Sequence, residues 1–297
     1  MRRQRVVLLA GLAALALGVA ARAETRIEKD LKLEPNGRFV LESDSGSVTV
    51  TGRAASGAHV VITSNRDDLN SLFDINFQDG AGEARVMVRR HHDFHWPHNL
   101  SLHFEVEVPS ATSTEISTGG GSIKLFGLKG DSQAKTSGGS VEVAGLTGRL
   151  DAGTSGGSIH LREVSGDSRV NTSGGSIEVG SLDGSLRAHT SGGPIRIDRV
   201  TGYVEAKTSG GSVRVNLGRG TSRGGDVETS GGSIDVELDP GANLNIDAST
   251  SGGSVVSDLP LRVQGKISGS SLHGTLGSGG EMLRLHTSGG SIHLRAL

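Results

Sequence analysis

The chain has 297 residues, no cysteine, 3% aromatic residues and 47 glycines, about twice the average glycine usage. The missing thiol excludes disulfides, thiolate zinc sites, iron–sulfur clusters and cysteine nucleophiles. A net charge of −2 supplies no basic field for nucleic acid and no cationic surface for anionic lipid, so neither partner is expected.

Residues 1–23 read as a secretory signal peptide. Arg2, Arg3 and Arg5 make a positive start, Val6 to Ala20 is uncharged and mostly apolar, and Ala21-Arg22-Ala23 is a small-x-small cleavage site. The apolar run is short for a spanning helix, which needs about 20 residues; an uncleaved membrane anchor is the alternative. No cysteine follows the run, which excludes a lipoprotein anchor. The expected mature chain is cleaved after Ala23, begins at Glu24 and is exported to the periplasm or cell surface. Without disulfides there, packing and hydrogen bonds must supply all its stability.

Residues 24–116 form the next unit. Leu100, Leu102, Phe104, Val106 and Val108 alternate with Ser101, His103, Glu105 and Glu107, the period of a half-buried strand. Ser43-Asp44-Ser45-Gly46-Ser47-Val48-Thr49-Val50 looks like a decayed copy of a repeat found further on. Seven of the eight aromatics lie at or before Phe126, leaving only Tyr203 beyond it, while 39 of the 47 glycines lie in 117–297. This contrast predicts two regions with different cores. One histidine-dense stretch holds His91, His92, His95 and His98. His91 or His92 with His95 could share a metal, completed by Asp93 or His98. Pro97 and the mixed pattern favour a solvated loop between strands, so no metal ligand is assigned.

Residues 117–297 are repetitive. Thr-Ser-Gly-Gly-Ser-Ile or a close variant begins at Thr118, Thr136, Thr154, Thr172, Thr190, Thr208, Thr229, Thr250 and Thr287, with a degenerate copy at Ile267. The first five intervals are 18 residues and the next are 21, 21, 17 and 20. Positions 6 and 8 of each regular unit are apolar, as in Ile159 and Leu161 or Ile177 and Val179. Position 7 is polar: Lys124, Glu142, His160, Glu178 and Arg196. Position 13 is always glycine and position 17 is small or β-branched. Each unit is therefore expected to hold two short strands, near positions 5–9 and 14–18, separated by tight glycine corners. Pro194 replaces a position-5 serine, so the ladder should not need that amide.

A unit this small cannot bury its own apolar face, but a stack of them can. The predicted fold is all-β: a parallel β-solenoid of about ten two-strand coils, roughly 50 Å long at the strand spacing, with residues 24–116 capping or leading into it. The 21-residue intervals are expected to be bulges or longer corners of the same stack. Leu297 would then leave the last coil uncapped, a candidate point of end-to-end self-association.

Several motifs have plain explanations. Gly153-Thr154-Ser155-Gly156-Gly157 and Gly220-Thr221-Ser222-Arg223-Gly224 match a nucleophile elbow, but no helix follows them as that geometry requires. Calcium-binding β-rolls share the 18-residue period, yet the Thr-Ser-Gly-Gly turn carries no carboxylate and Asp131, Asp167 and Asp183 are sporadic. The threonine column could order water or a polysaccharide; satisfaction of turn amides is the favoured reading.

Phe39-Val40-Leu41 with Ser45 to Val50, the strand Phe104 to Pro109 and the Ser-Gly-Gly-Ser-Ile/Val array resemble the bacterial putative-adhesin β-strand-repeat family, a domain of unknown function. The resemblance covers nearly all of the mature chain. It implies an exported or envelope-associated, adhesin-like β-solenoid and brings no catalytic residues with it. The expected function is a non-enzymatic structural or interaction module of the bacterial envelope. It would bind a glycan or protein surface ligand shallowly, with no catalytic residue, cofactor or metal assigned. The alternatives are a passive self-assembling spacer and a solenoid carbohydrate-active enzyme. The enzyme would gather three or more carboxylates or histidines on one face.

Overall fold

A computed structural model describes residues 25–91, 100–218, 223–263 and 268–297. Among them are two long, mostly parallel 14-stranded sheets and one four-residue helix, Leu69–Leu72. The fold is a β-solenoid. Each regular unit gives one strand to each sheet, as with Ile159–Ser165 in the first and Ser168–Thr172 in the second. Equivalent residues stack in register: Ile159 on Ile177, Ile177 on Ile195, and Thr154 on Thr172. Positions 6 and 8 face inward and are fully buried, and position 17 (Ala134, Ala152, Val170, Ala188) closes the core from the opposite sheet. The space between is thin and aliphatic, so Tyr203 stands outside it, 36% exposed.

The predicted first strand of each unit runs further than expected. Val141–Thr147 passes through positions 11 and 12, and Leu182–Asp183 returns to the same sheet after a break. Leucine at position 11 is thus a core residue of the first sheet. The outward position-7 column forms short cross-coil pairs, Lys124–Glu142 at 3.8 Å and His160–Glu178 at 3.2 Å among them, each worth about 0–1 kcal/mol. Pro194 keeps its carbonyl in the ladder, accepting from the Ile177 N–H. The neighbouring position-5 amide, Ser176, donates to the Ser158 hydroxyl, so proline removes no backbone-to-backbone bond here.

Two expectations need correction. The first is the pair of separate cores. One contiguous apolar cluster runs from Leu31 to Leu294, taking in Phe39 and Phe104 with the repeat columns. The reason is that Ser43–Val50 is a true coil: Ser43 aligns with Thr118 and Val48 with Ile123. The cap is built instead from antiparallel strands. Thr25–Leu31 lies on Ala58–Ser64, and Phe73–Asp79 lies on Glu83–Arg90.

The second correction concerns the C-terminal end. Glu281–Thr287 pairs with both Gly225–Thr229 and Leu244–Thr250, while Ile292–Ala296 pairs with both Ile234–Leu238 and Val255–Ser257. The last coil in sequence therefore fills a slot between two earlier coils, and the Leu297 N–H donates to the Leu238 carbonyl inside the stack. The 229-to-250 interval is a skipped place in the stack, and neither a bulge nor a longer corner. The degenerate copy around residue 267 falls partly outside the described residues. Its following strand, Ser271–Leu276, is an antiparallel cap on Leu244–Thr250.

Candidate functional site

The threonine column faces inward; each member is at most 8% exposed. Thr172 Oγ1 donates to the Gly157 carbonyl one coil back at 2.8 Å and accepts from the Gly175 N–H at 3.3 Å. The relay recurs at Thr154, Thr190 and Thr208. These hydroxyls satisfy turn groups and offer no face to a ligand.

The corner carboxylates also serve the stack. Asp131 accepts from the Arg149 backbone N–H at 2.9 Å and from its guanidinium. That backbone hydrogen bond, with the guanidinium beside it, holds its carboxyl below the usual value. Asp167 accepts from the Ser185 N–H. Each of these two carboxylates thus ties one coil to a backbone amide of the next. Among the described residues, no group of three or more histidines and carboxylates is placed to hold a metal. His91 pairs with Asp74 at 2.8 Å; His92, His95 and His98 lie outside the described residues. Of the two elbow-like motifs, Gly153 to Gly157 is an ordinary relay turn; Gly220, Thr221 and Ser222 lie outside the described residues.

Three carboxylates do converge on the second sheet, and this bears on the enzyme alternative. Lys207 Nζ lies 3.7, 2.7 and 3.5 Å from Glu205, Asp226 and Glu228. The ammonium at their centre binds them together, and the Asp226 hydrogen bond raises the Lys207 pKa above its ordinary value. The three carboxylates and the lysine form an ion-pair network across neighbouring strands.

The feature with the shape of a site is an open groove of about 560 Å³ on the outer side of the second sheet. It crosses the N-terminal ends of six successive strands, from Ser113 to Tyr203, a span of about 24 Å at the strand spacing. Its position follows from the repeat, because positions 14 and 16 of each unit face outward on either side of the buried position 15 (Ser132, Leu150, Ser168, Leu186). Arg38 pairs with Glu115 at one end, and Tyr203 stands at the other. Burial raises the Tyr203 phenol above its ordinary pKa, so it stays neutral. Between them runs the outward column Gln133, Asp151, Arg169, Arg187. Gln133 donates to Asp151, which also meets Lys135. Arg187 reaches Glu205 at 3.4 Å. The Arg169 side chain has no hydrogen bond or ion pair among the described residues, and it lies directly beside Arg187 in register.

A family model described as Toastrack DUF4097 matches residues 104–295. The chain belongs to the Toastrack DUF4097 family. The Toastrack match opens inside the strand Leu102–Pro109 and closes inside Ile292–Ala296, so it holds every groove residue except Arg38. No curated protein matches. Solved structures described as putative adhesins are similar to this Toastrack chain. One from Bacteroides fragilis NCTC 9343 has 14% identity over 92% of this chain and 98% of that one, with a TM-score of 0.48. One from Parabacteroides merdae ATCC 43184 has 13% identity over 91% and 95%, with a TM-score of 0.42.

Of the groove residues, the sequence pattern drew out only Asp131 and Asp167, as possible calcium ligands, and Tyr203, as the lone late aromatic; Arg169 and Arg187 it did not. The available signal was position 16 of the unit, where two successive copies carry arginine.

Proposed function

We propose that this Toastrack protein is an exported, non-enzymatic, adhesin-like module of the bacterial envelope, binding an extended surface ligand along the groove of its second sheet. The observation that carries the reading is the groove itself: a polar trough across six rigid strands with an exposed tyrosine at one end. Rigid parallel strands present such side chains at fixed spacing, which lowers the ordering cost of binding. Self-association through the C-terminal residues is not part of the proposal, because Leu297 is bonded within the stack.

The test has two arms. Fractionation of the producing bacterium and N-terminal sequencing should find an exported chain beginning at Glu24; a cytoplasmic chain retaining Met1 would refute export. Purified mature protein should bind envelope fractions, and Tyr203→Ala should reduce that binding without changing the circular dichroism spectrum. Unchanged binding by this variant would remove the groove from the function.

A further inference from the structure

We propose that the groove takes an oligosaccharide bearing carboxylates, with Arg169 and Arg187 together holding a uronate carboxyl group and Tyr203 stacking on a neighbouring sugar ring. The inference rests on the groove reading above and gives it a ligand class.

Two arginines directly opposite each other on neighbouring strands repel, and β-sheet neighbours of like charge need compensation. Arg187 has a partner in Glu205, its register neighbour on the next strand, at 3.4 Å. Arg169 has none among the described residues, since the adjacent Asp151 is engaged by Gln133 and Lys135. Both arginines line the groove. Planar guanidinium groups side by side match the two oxygens of a carboxylate. An anion bound there would relieve the repulsion.

The rest of the groove selects a sugar over an acidic peptide. Asp131, Asp151 and Asp167 can accept from sugar hydroxyls, and Gln133 can accept from or donate to them. The groove lies on a sheet face, across strands whose backbone groups are already paired. A peptide backbone therefore finds no edge to extend. Tyr203 offers a flat apolar ring with a neutral polar tip at the end of the trough.

The experiment titrates the full mature protein with oligogalacturonate, with a neutral malto-oligosaccharide of equal length, and with oligoglutamate, by calorimetry at low and high salt. Oligogalacturonate should bind most tightly and weaken with salt. Arg169→Ala should lower its affinity at least about tenfold. The same variant should melt no lower than the parent, because it removes a like-charge contact. Arg284→Ala, in the same outward column beyond the groove, should bind as the parent does. Equal binding of the neutral and acidic sugars, or parental affinity in Arg169→Ala, overturns the carboxylate assignment. Preference for oligoglutamate overturns the saccharide. If no probe binds while Tyr203→Ala still abolishes envelope binding, this inference fails and the groove reading stands. If envelope binding is also indifferent to Tyr203→Ala, both fail.

Discussion

Gly174 and Gly175 sit side by side in one turn, and only one of them is compelled. A Cβ on Gly175 would stand 2.0 Å from the Gly157 carbonyl oxygen of the preceding coil, inside any contact distance; at Gly174 the nearest atom is the Gly156 oxygen at 3.5 Å. The need at Gly175 is close approach of stacked backbones, since its φ is not positive. At Gly166, by contrast, φ is +131°, a conformation side chains rarely adopt. Gly175→Ala is therefore expected to destabilise by about 1–3 kcal/mol or more through overpacking, whereas Gly174→Ala should stay within about 0.5 kcal/mol. Urea midpoints of the two variants check this, and equal shifts would contradict the stacking account. The glycine pair was plain in the repeat, but which member matters was not, because spacing along a chain does not reveal which side of a corner touches its neighbour. The threonine before it was legible for the opposite reason: its hydroxyl bonds locally as well as across coils, and local bonding is a property of residue type.

Strands were the most readable elements, because alternation at positions 6 to 8 fixes both type and facing, and Ile159, Ile177 and Ile195 are buried in register as that pattern demands. The antiparallel caps were less readable, since Thr25–Leu31 carries Arg26, Glu28, Lys29 and Asp30 and only its charge marks it as a protected edge. That edge is fastened by a titrating group. His59, on the neighbouring strand, bonds Asp30 through Nδ1 at 2.7 Å and lies 3.3 Å from Glu28 through Nε2. The hydrogen bond to Asp30, aided by the charges of Asp30, Glu28 and Glu107, raises the His59 pKa above its ordinary 6.5. A raised folded value means that the contribution is complete below about pH 6.5. It is lost as pH rises through the folded pKa. Hydrogen exchange of residues 25–31, corrected for intrinsic rate, should therefore show better protection at about pH 5.5 than at about pH 8. His59→Asn should abolish the difference. The side chain is exposed, so the effect belongs to the fraying edge and should leave the central coils unmoved; a shift of equal size in Ile159–Ser165 would contradict it.

Across the molecule, both terminal segments are threaded between coils that follow one another in sequence. Arg38–Ser43 lies between Glu83–Arg90 and Ser113–Thr118, just as Glu281–Thr287 lies between Gly225–Thr229 and Leu244–Thr250. A repeat conceals this, because every unit presents the same inward columns and any coil can stack on any other; the irregular intervals of 17 and 20 residues were the sole trace. The topology constrains folding. Coils from Thr118 to Thr229 can each add to the one before, closing only short loops. The strand Leu244–Thr250 has no parallel partner until Glu281–Thr287 arrives, and its antiparallel neighbour Ser271–Leu276 offers a two-stranded pairing that is marginal alone. Pulsed hydrogen exchange during refolding should therefore find Leu150–Thr154 and Ser168–Thr172 protected first. Leu244–Thr250 should then gain protection at the same rate as Glu281–Thr287. Ile292→Ala, which opens a cavity at a fully buried position of the inserted coil and should cost about 2–5 kcal/mol, should slow both together and spare the central coils. Early protection of Leu244–Thr250 alongside Gly225–Thr229, ahead of the C-terminal segment, would mean that the coils first stack in sequence order. The inserted arrangement would then have to form by later exchange.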